Sequence, residues 1–212
     1  MASYILSWII LFVLLYFVFK IFRLNFSTNK MQAIGTKYLP DTFVVFDLET
    51  TGLNSETNEI IEIAAIKYIK GSNNHATVQS LIKPKRKIPA KITEITGITN
   101  EMIAQDGQEL EVALKEFVEF VNGHRLVSFN AEFDMAFLNV AMEKIGMPLL
   151  KNPVSCALKM SRRAWSSRKT FRLADLARDA GIDSGEAHRA LEDARRALII
   201  YCAAVDKLKS VK

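Results

Sequence analysis

Asp47 and Glu49 stand two residues apart at the end of the apolar run Phe43–Phe46. On a strand, alternate side chains share a face, so both carboxylates can point at one place. Thr50, Thr51 and Gly52 follow at once, supplying backbone N–H donors and a permissive turn where a ligand can come close. Asp134 lies just after a second apolar run, in Asn130-Ala131-Glu132-Phe133-Asp134, and Asp193 stands near His188 on the last helical stretch. Gathered together, four carboxylates and one imidazole make an oxygen-rich pocket suited to Mg²⁺ or Mn²⁺ rather than zinc. Taken singly, any one aspartate among 23 acidic residues is more often a solvated charge or a helix cap. A lone histidine is likewise more often structural, and His75 and His124 keep that reading.

The elements that would carry these groups can be read from the apolar pattern. Phe43–Phe46 suits a buried strand, Ile60–Ile69 and Thr77–Ile82 suit two more, and turn residues at Gly71-Ser72-Asn73-Asn74 join them into an antiparallel meander. Leu110, Leu114, Phe117 and Val121 recur at near-helical spacing, which places them in the core. Arg125–Phe129 reads as a strand, followed by a helix from about Glu132 to Lys144 that Gly146 and Pro148 end. Further helices are expected over Leu173–Ala180 and Ala187–Leu208. Strands followed by alternating helix and strand imply a mixed sheet covered by helices, an α/β layered domain. His188 and Asp193 are five apart, so they do not share a helix face; His188 is expected at or before the helix start, with Gly185 easing the entry.

Three segments, Asp47-Leu48-Glu49-Thr50-Thr51-Gly52-Leu53, Asn130-Ala131-Glu132-Phe133-Asp134 and His188-Arg189-Ala190-Leu191-Glu192-Asp193-Ala194, occur in the order and approximate separation of the DEDDh exonuclease motifs. The chain from Thr42 to Ala204 resembles that family, which includes the proofreading subunit of bacterial DNA polymerase III and RNase T. Ile88-Pro89 and Ile95-Thr96-Gly97-Ile98-Thr99 resemble a further family segment. The resemblance implies an RNase H-like fold with a five-stranded mixed sheet, and 3′ to 5′ hydrolysis of single-stranded DNA or RNA to nucleoside 5′-monophosphates. It also implies two metal ions held by Asp47, Glu49, Asp134 and Asp193, with His188 as general base. An imidazole of ordinary pKa, near ~6.5, can take a proton from water at physiological pH. The resemblance implies that Thr50, Thr51, Gly52 and Leu53 hold the terminal nucleotide, with Phe133 as a further contact. Phe129 stands where many members have His, and Cys156-Ala157 where many have Asp-Thr; neither position is a metal ligand or the base.

The stretch Lys159–Arg172 carries Lys159, Arg162, Arg163, Arg168, Lys169 and Arg172 with no acid, and interleaves Trp165 and Phe171. It reads either as a contact surface for single-stranded nucleic acid, with Arg162 and Arg163 on phosphates and Trp165 stacked on a base, or as a solvated basic face. Lys83, Lys85, Arg86 and Lys87 read as an exposed loop. The net charge of +5 favours a polyanionic partner, and two distant cysteines, Cys156 and Cys202, indicate neither a zinc site nor a disulfide framework.

From Tyr4 to Phe19 only Ser7 is neither apolar nor aromatic. With its flanks this run approaches the ~20 residues needed to cross a bilayer. The sequence therefore predicts an anchor over 2–22, a linker over 23–40 and a catalytic domain over 41–212. Lys20, Arg23, Lys30 and Lys37 follow the run and place the domain on the cytoplasmic side of a single-pass membrane protein. A buried core helix and a cleaved signal are the competing readings of the run. For the whole chain, the competitors to an enzyme are a membrane-tethered binding module and a scaffold for a polymerase or other protein; oligomeric state is not encoded in any motif.

Overall fold

The computed structural model of the chain describes residues 37–182 and 188–210. The expected anchor over 2–22, nearly all of the linker, and Gly185 lie outside the described residues. Among those described, no helix is long and apolar enough to cross a membrane.

Strand β1 (Thr42–Thr50) is the centre of the sheet. Phe43, Val44, Val45 and Phe46 are fully buried, as a run without polar alternation requires when both faces are covered. Strands β2 (Ile60–Ile69) and β3 (Ala76–Leu81) extend it as an antiparallel meander. On the other side, β4 (Leu126–Ser128) pairs parallel to β1, and β5 (Val154–Cys156) pairs parallel to β4. The order β3-β2-β1-β4-β5 is the mixed five-stranded, RNase H-like arrangement expected. The meander runs as predicted, except that Ile82 leaves the third strand and bridges Gln108 instead.

Seven helices are described. After two short ones, α1 (Ala90–Thr96) and α2 (Asn100–Asp106), come α3 (Leu110–Val121), α4 (Ala131–Lys144), α5 (Ala157–Ala164), α6 (Leu173–Asp179) and α7 (Ala190–Ser210). Leu114, Phe117 and Val121 of α3, with Phe137, Leu138 and Met142 of α4, pack on Val44, Phe46 and Leu48 from one face of β1. On the opposite face the Phe43 ring meets Tyr68 of β2 and Tyr201 of α7 at 4.6 and 5.3 Å between centroids. Helix α7 therefore covers the face of β1 on which Phe43, Val45, Asp47 and Glu49 alternate. It begins at Ala190, later than the expected Ala187, because His188 has a left-handed backbone with φ of 57° that α-helix cannot incorporate.

Candidate active site

Two topological facts bring the acids together. The face of β1 covered by α7 is apolar through Val45 and then turns acidic, and the facing first turn of α7 carries Asp193. One oxygen from each of Asp47, Glu49 and Asp193 lies within 4.8 Å of the others. Because β4 runs parallel to β1, its end lies beside the end of β1, where the chain turns into α4. Asp134, in the first turn of α4, is 3% exposed and accepts hydrogen bonds from the Ser128 hydroxyl and the Leu48 N–H. It lies outside the three-carboxylate cluster but lines the same pocket of about 240 Å³, together with His188, Phe129, Asn130, Phe133 and Leu173. A larger cavity of about 500 Å³ is bordered by Lys83, Lys85, Arg86 and Lys144; none of the five predicted groups lines it, whereas all five line the smaller one.

Crowded carboxylates in a dehydrated pocket resist ionisation. Burial pushes Glu49 up to about 8, with help from the charges of Asp193, Glu62 and Asp134 and against the pull of Arg189. Burial also raises Asp134 to about 7, while the hydrogen bonds from Ser128 and Leu48 oppose the rise. Asp47 is raised well above the usual carboxylate range by burial and then by Asp134, Asp193, Glu49 and Glu62. Asp193 is raised less freely, since the Arg196 guanidinium bonded to it offsets part of the burial. An all-oxygen set whose members oppose one another's charge fits hard divalent cations, which supply the missing positive charge.

His188 stands just before α7, as its separation from Asp193 required. Its Nδ1 is 3.9 Å from Asp193 Oδ2, and its side chain is 56% exposed. The imidazole thus lies at the mouth of the pocket, open to water, while the carboxylates form its floor.

The turn after β1 is built by its own hydroxyls. Thr50 Oγ1 donates to Gly52 O at 2.7 Å, and Thr51 Oγ1 accepts from Glu59 N at 2.9 Å. A side chain at Gly52 would meet the Asn58 carboxamide at 2.5 Å. Leu53, at the tip, is 87% exposed. Of the other expected contacts, Phe133 lines the pocket, whereas Thr50, Thr51, Gly52, Leu53, Arg162, Arg163 and Trp165 do not. The basic stretch is nonetheless tied to the pocket at both ends: Leu158 N donates to Phe129 O at 2.9 Å, and Leu173 is part of the lining. Lys159 and Arg168 are engaged by Glu132 and Asp179, while Arg162, Arg163, Lys169 and Arg172 are exposed.

The motifs did not reveal Ser128, Leu173, Arg196 or Glu62. Arg196 could have been found from its i,i+3 spacing to Asp193. Glu62 had one signal, as a single acid inside the isoleucine-rich run Ile60–Ile69. It is fully buried and holds Arg189 and the first amide of α7.

An exonuclease family model (RNase_T) matches residues 44–201. The DNA polymerase III subunit epsilon of Aquifex aeolicus is 33% identical over 183 residues, 86% of this chain and 89% of that protein. The PolC-type DNA polymerase III of Bacillus cereus is 38% identical over 153 residues, 72% of this chain, which spans only 10% of that relative's length. Among solved structures, an E. coli exonuclease I complex with single-stranded DNA superposes with a TM-score of 0.64 at 20% identity, over 76% of this chain and 39% of that one. The nuclease domain of 3′hExo, a DEDDh family member bound to rAMP, gives 0.66 at 19% identity, over 81% and 94%.

Proposed function

The chain belongs to the RNase_T exonuclease family, and from that membership we propose that it is a metal-dependent 3′ to 5′ exonuclease of single-stranded DNA or RNA that releases nucleoside 5′-monophosphates. The observation that carries this reading is the placement of Asp47, Glu49 and Asp193 within 4.8 Å, in one pocket with Asp134 and His188. Asp47, Glu49, Asp134 and Asp193 would hold two Mg²⁺ or Mn²⁺ ions. When bound, the ions would supply an acidified water and neutralise charge on the scissile phosphate.

The chain's own groups do the remaining work. His188, exposed at the pocket mouth, takes the proton of the attacking water and can pass it to solvent. Arg196 and Ser128 orient Asp193 and Asp134 by donating to them, so the carboxylates meet the ions already aligned. The 3′-terminal nucleotide rests against the 50–53 turn, where the Thr50 and Thr51 hydroxyls stiffen the loop and leave Leu53 projecting for contact with the base. Phe133, which lines the pocket, packs against the same nucleotide. Upstream nucleotides follow Arg162, Arg163 and Trp165, on a stretch anchored at the pocket by Leu158 and Leu173.

The apolar run over 4–19 supports a single-pass anchor with residues 41–212 as the exonuclease domain on the cytoplasmic side, in contact with lipid through residues 2–22. Flotation with liposomes, lost on deletion of residues 2–22, tests the anchor; unchanged flotation removes it. A polymerase partner is drawn from the likeness to a polymerase subunit, and co-purification with a polymerase tests it.

The decisive assay incubates the purified chain, in detergent, with 5′-labelled single-stranded DNA and RNA in Mg²⁺, Mn²⁺ or EDTA. A ladder shortening from the 3′ end, absent in EDTA and in Asp47→Ala, is expected. Binding without shortening, from folded protein in Mn²⁺, would replace the enzyme with a nucleic-acid-binding module.

A further inference from the structure

Glu62 is the one acid on β2, and it sits directly across the ladder from Glu49. A fully buried carboxylate needs strong compensation, and the partners of Glu62 show where that compensation is directed. Oε1 accepts from Arg189 Nη2 at 2.6 Å and from Gln79 Nε2 at 2.8 Å. Oε2 accepts from Ala190 N at 2.9 Å, and Arg189 Nε lies 3.2 Å from both oxygens. The guanidinium thus forks onto the carboxylate, the most geometrically demanding ion pair available to side chains.

All but one of these bonds go to the residues between the base and the fourth acid. Arg189 follows His188, Ala190 opens α7, and Asp193 N donates to Arg189 O at 3.0 Å in the helix's first turn. His188 itself is held at φ of 57°, a conformation that costs a non-glycine residue about 1 kcal/mol or more and persists only where neighbours impose it. The Glu62 carboxylate also replaces an N-cap, satisfying an amide the helix leaves unpaired.

We propose that Glu62 and Arg189 are positioning residues for the exonuclease site: a clamp from the buried Glu62 of β2 to the half-buried Arg189 at the start of α7 that fixes His188 and Asp193 relative to Asp47 and Glu49. The clamp rests on the exonuclease reading for its effect on rate, though not for its effect on structure. Without the fork, α7 keeps its packing further along, but its first turn and the His188 backbone lose their reference to the sheet.

The test uses the full chain with Arg189→Lys, Arg189→Ala and Glu62→Gln. Turnover is followed in Mn²⁺ below the melting temperature, alongside Mn²⁺ binding by electron paramagnetic resonance and amide exchange at Ala190 and Asp193. Arg189→Ala is expected to lower kcat about 10- to 100-fold, the range found when groups supporting metal ligands are removed, with KM changed less than kcat. Mn²⁺ affinity falls, and exchange at Ala190 and Asp193 accelerates. Arg189→Lys, which keeps the charge and loses the fork, recovers part of each. Glu62→Gln, which keeps shape and loses charge, behaves between wild type and Arg189→Ala.

Wild-type kcat, Mn²⁺ affinity and exchange in Arg189→Ala would overturn the clamp while leaving the exonuclease reading intact. So would a lower melting temperature with no change in those three readouts, which is the result of a purely structural ion pair. If wild type shows no turnover, the exonuclease reading fails separately, and Mn²⁺ affinity and exchange still decide whether the clamp orders this turn.

Discussion

The floor and the mouth of the pocket are built by opposite means. On the floor, Asp47, Glu49 and Asp134 come from the C-terminal end of β1 and the first turn of α4, with β4 supplying the Ser128 hydroxyl that aligns Asp134. At the mouth, His188 comes from a non-helical residue with φ of 57° and a side chain 56% exposed. The contrast matches the work the proposed mechanism gives each. Concentrating like charges requires a frame that cannot relax outward, whereas a general base that passes protons to solvent must reach it. Asp193 belongs to both regions, joined to the floor by the cluster and to the mouth by the same turn as His188.

The sharpest way to break the floor is to remove one charge from it. Asp47→Asn should abolish 3′ shortening, a loss beyond the ~10⁴-fold ceiling typical of losing a general base, and should match the effect of EDTA. The same substitution should leave the metal-free melting temperature unchanged or higher, because it relieves repulsion at a site under electrostatic strain. Equal activity in Asp47→Asn and wild type would mean the floor is not where chemistry occurs.

Breaking the mouth should cost less. His188→Ala is expected to lower kcat by roughly 10² to 10⁴ while Mn²⁺ binding persists. His188→Gly should be equally slow yet more stable than His188→Ala by about 1 kcal/mol, since glycine accepts positive φ without penalty. Denaturant melts of the two variants check this, and identical stabilities would show that the left-handed turn is not strained.

Much of the floor was legible because it depends on local regularities. The apolar run into Asp47-Leu48-Glu49 fixes a strand and a shared face, and the helix after Asn130 is marked by its stop at Gly146 and Pro148. What escaped depends on distance or on shortness. β5 spans only Val154–Cys156, with Val154 exposed, so no buried run marks it. α5 is hidden because its surface is mostly basic and its inward residues are the small Ala157 and Ser161. α1 and α2 are seven residues each, too short for a periodic signal, and one is started by the Thr99 hydroxyl accepting from Met102 N. Glu62 finds its partner 127 residues away, and no spacing rule spans that interval. The run Ile60–Ile69 offered an anomaly rather than a pattern, an acid set between Ile61 and Ile63, which are both buried.

Protonation sharpens the same comparison without mutation. Glu49 at about 8 and Asp134 at about 7 hold protons in the folded chain that the unfolded chain releases at lower pH. Between those limits the folded state binds more protons, so its stability falls as pH rises. The contribution is fully present below the ordinary carboxylate pKa and is lost as pH climbs through about 7 to 8. In EDTA the melting temperature should therefore fall from pH 5 to pH 8.5, and Mn²⁺ should flatten or reverse the trend. Burial lowers His75, which gives the opposite slope below its ordinary pKa of 6.5. The difference between wild type and Glu49→Gln isolates the floor, and parallel curves for the two would remove Glu49 as a source of the slope.

The smallest effect belongs to the basic stretch beyond the mouth, and it distinguishes residues that look alike in sequence. Lys159 and Arg168 are already paired with Glu132 and Asp179, whereas Arg162 and Arg163 extend into solvent at the end of α5. A paired cation that moves to a phosphate must leave its partner, so its net gain is small; an exposed one releases counterions outright. Arg162→Ala and Arg163→Ala should each raise KM a few-fold on a long single strand, leave kcat alone, and reduce the slope of log affinity against log salt by about 0.7 per lost contact. A dinucleotide substrate, too short to reach the last turn of α5 under this reading, should not respond to either change. If Lys159→Ala and Arg168→Ala weaken binding as much as the two arginine variants, the stretch acts as a diffuse field and not as a tracked path. If none of the four alters the salt slope, the strand leaves the pocket in another direction, and the anchoring of this stretch at Phe129 and Leu173 serves the fold alone.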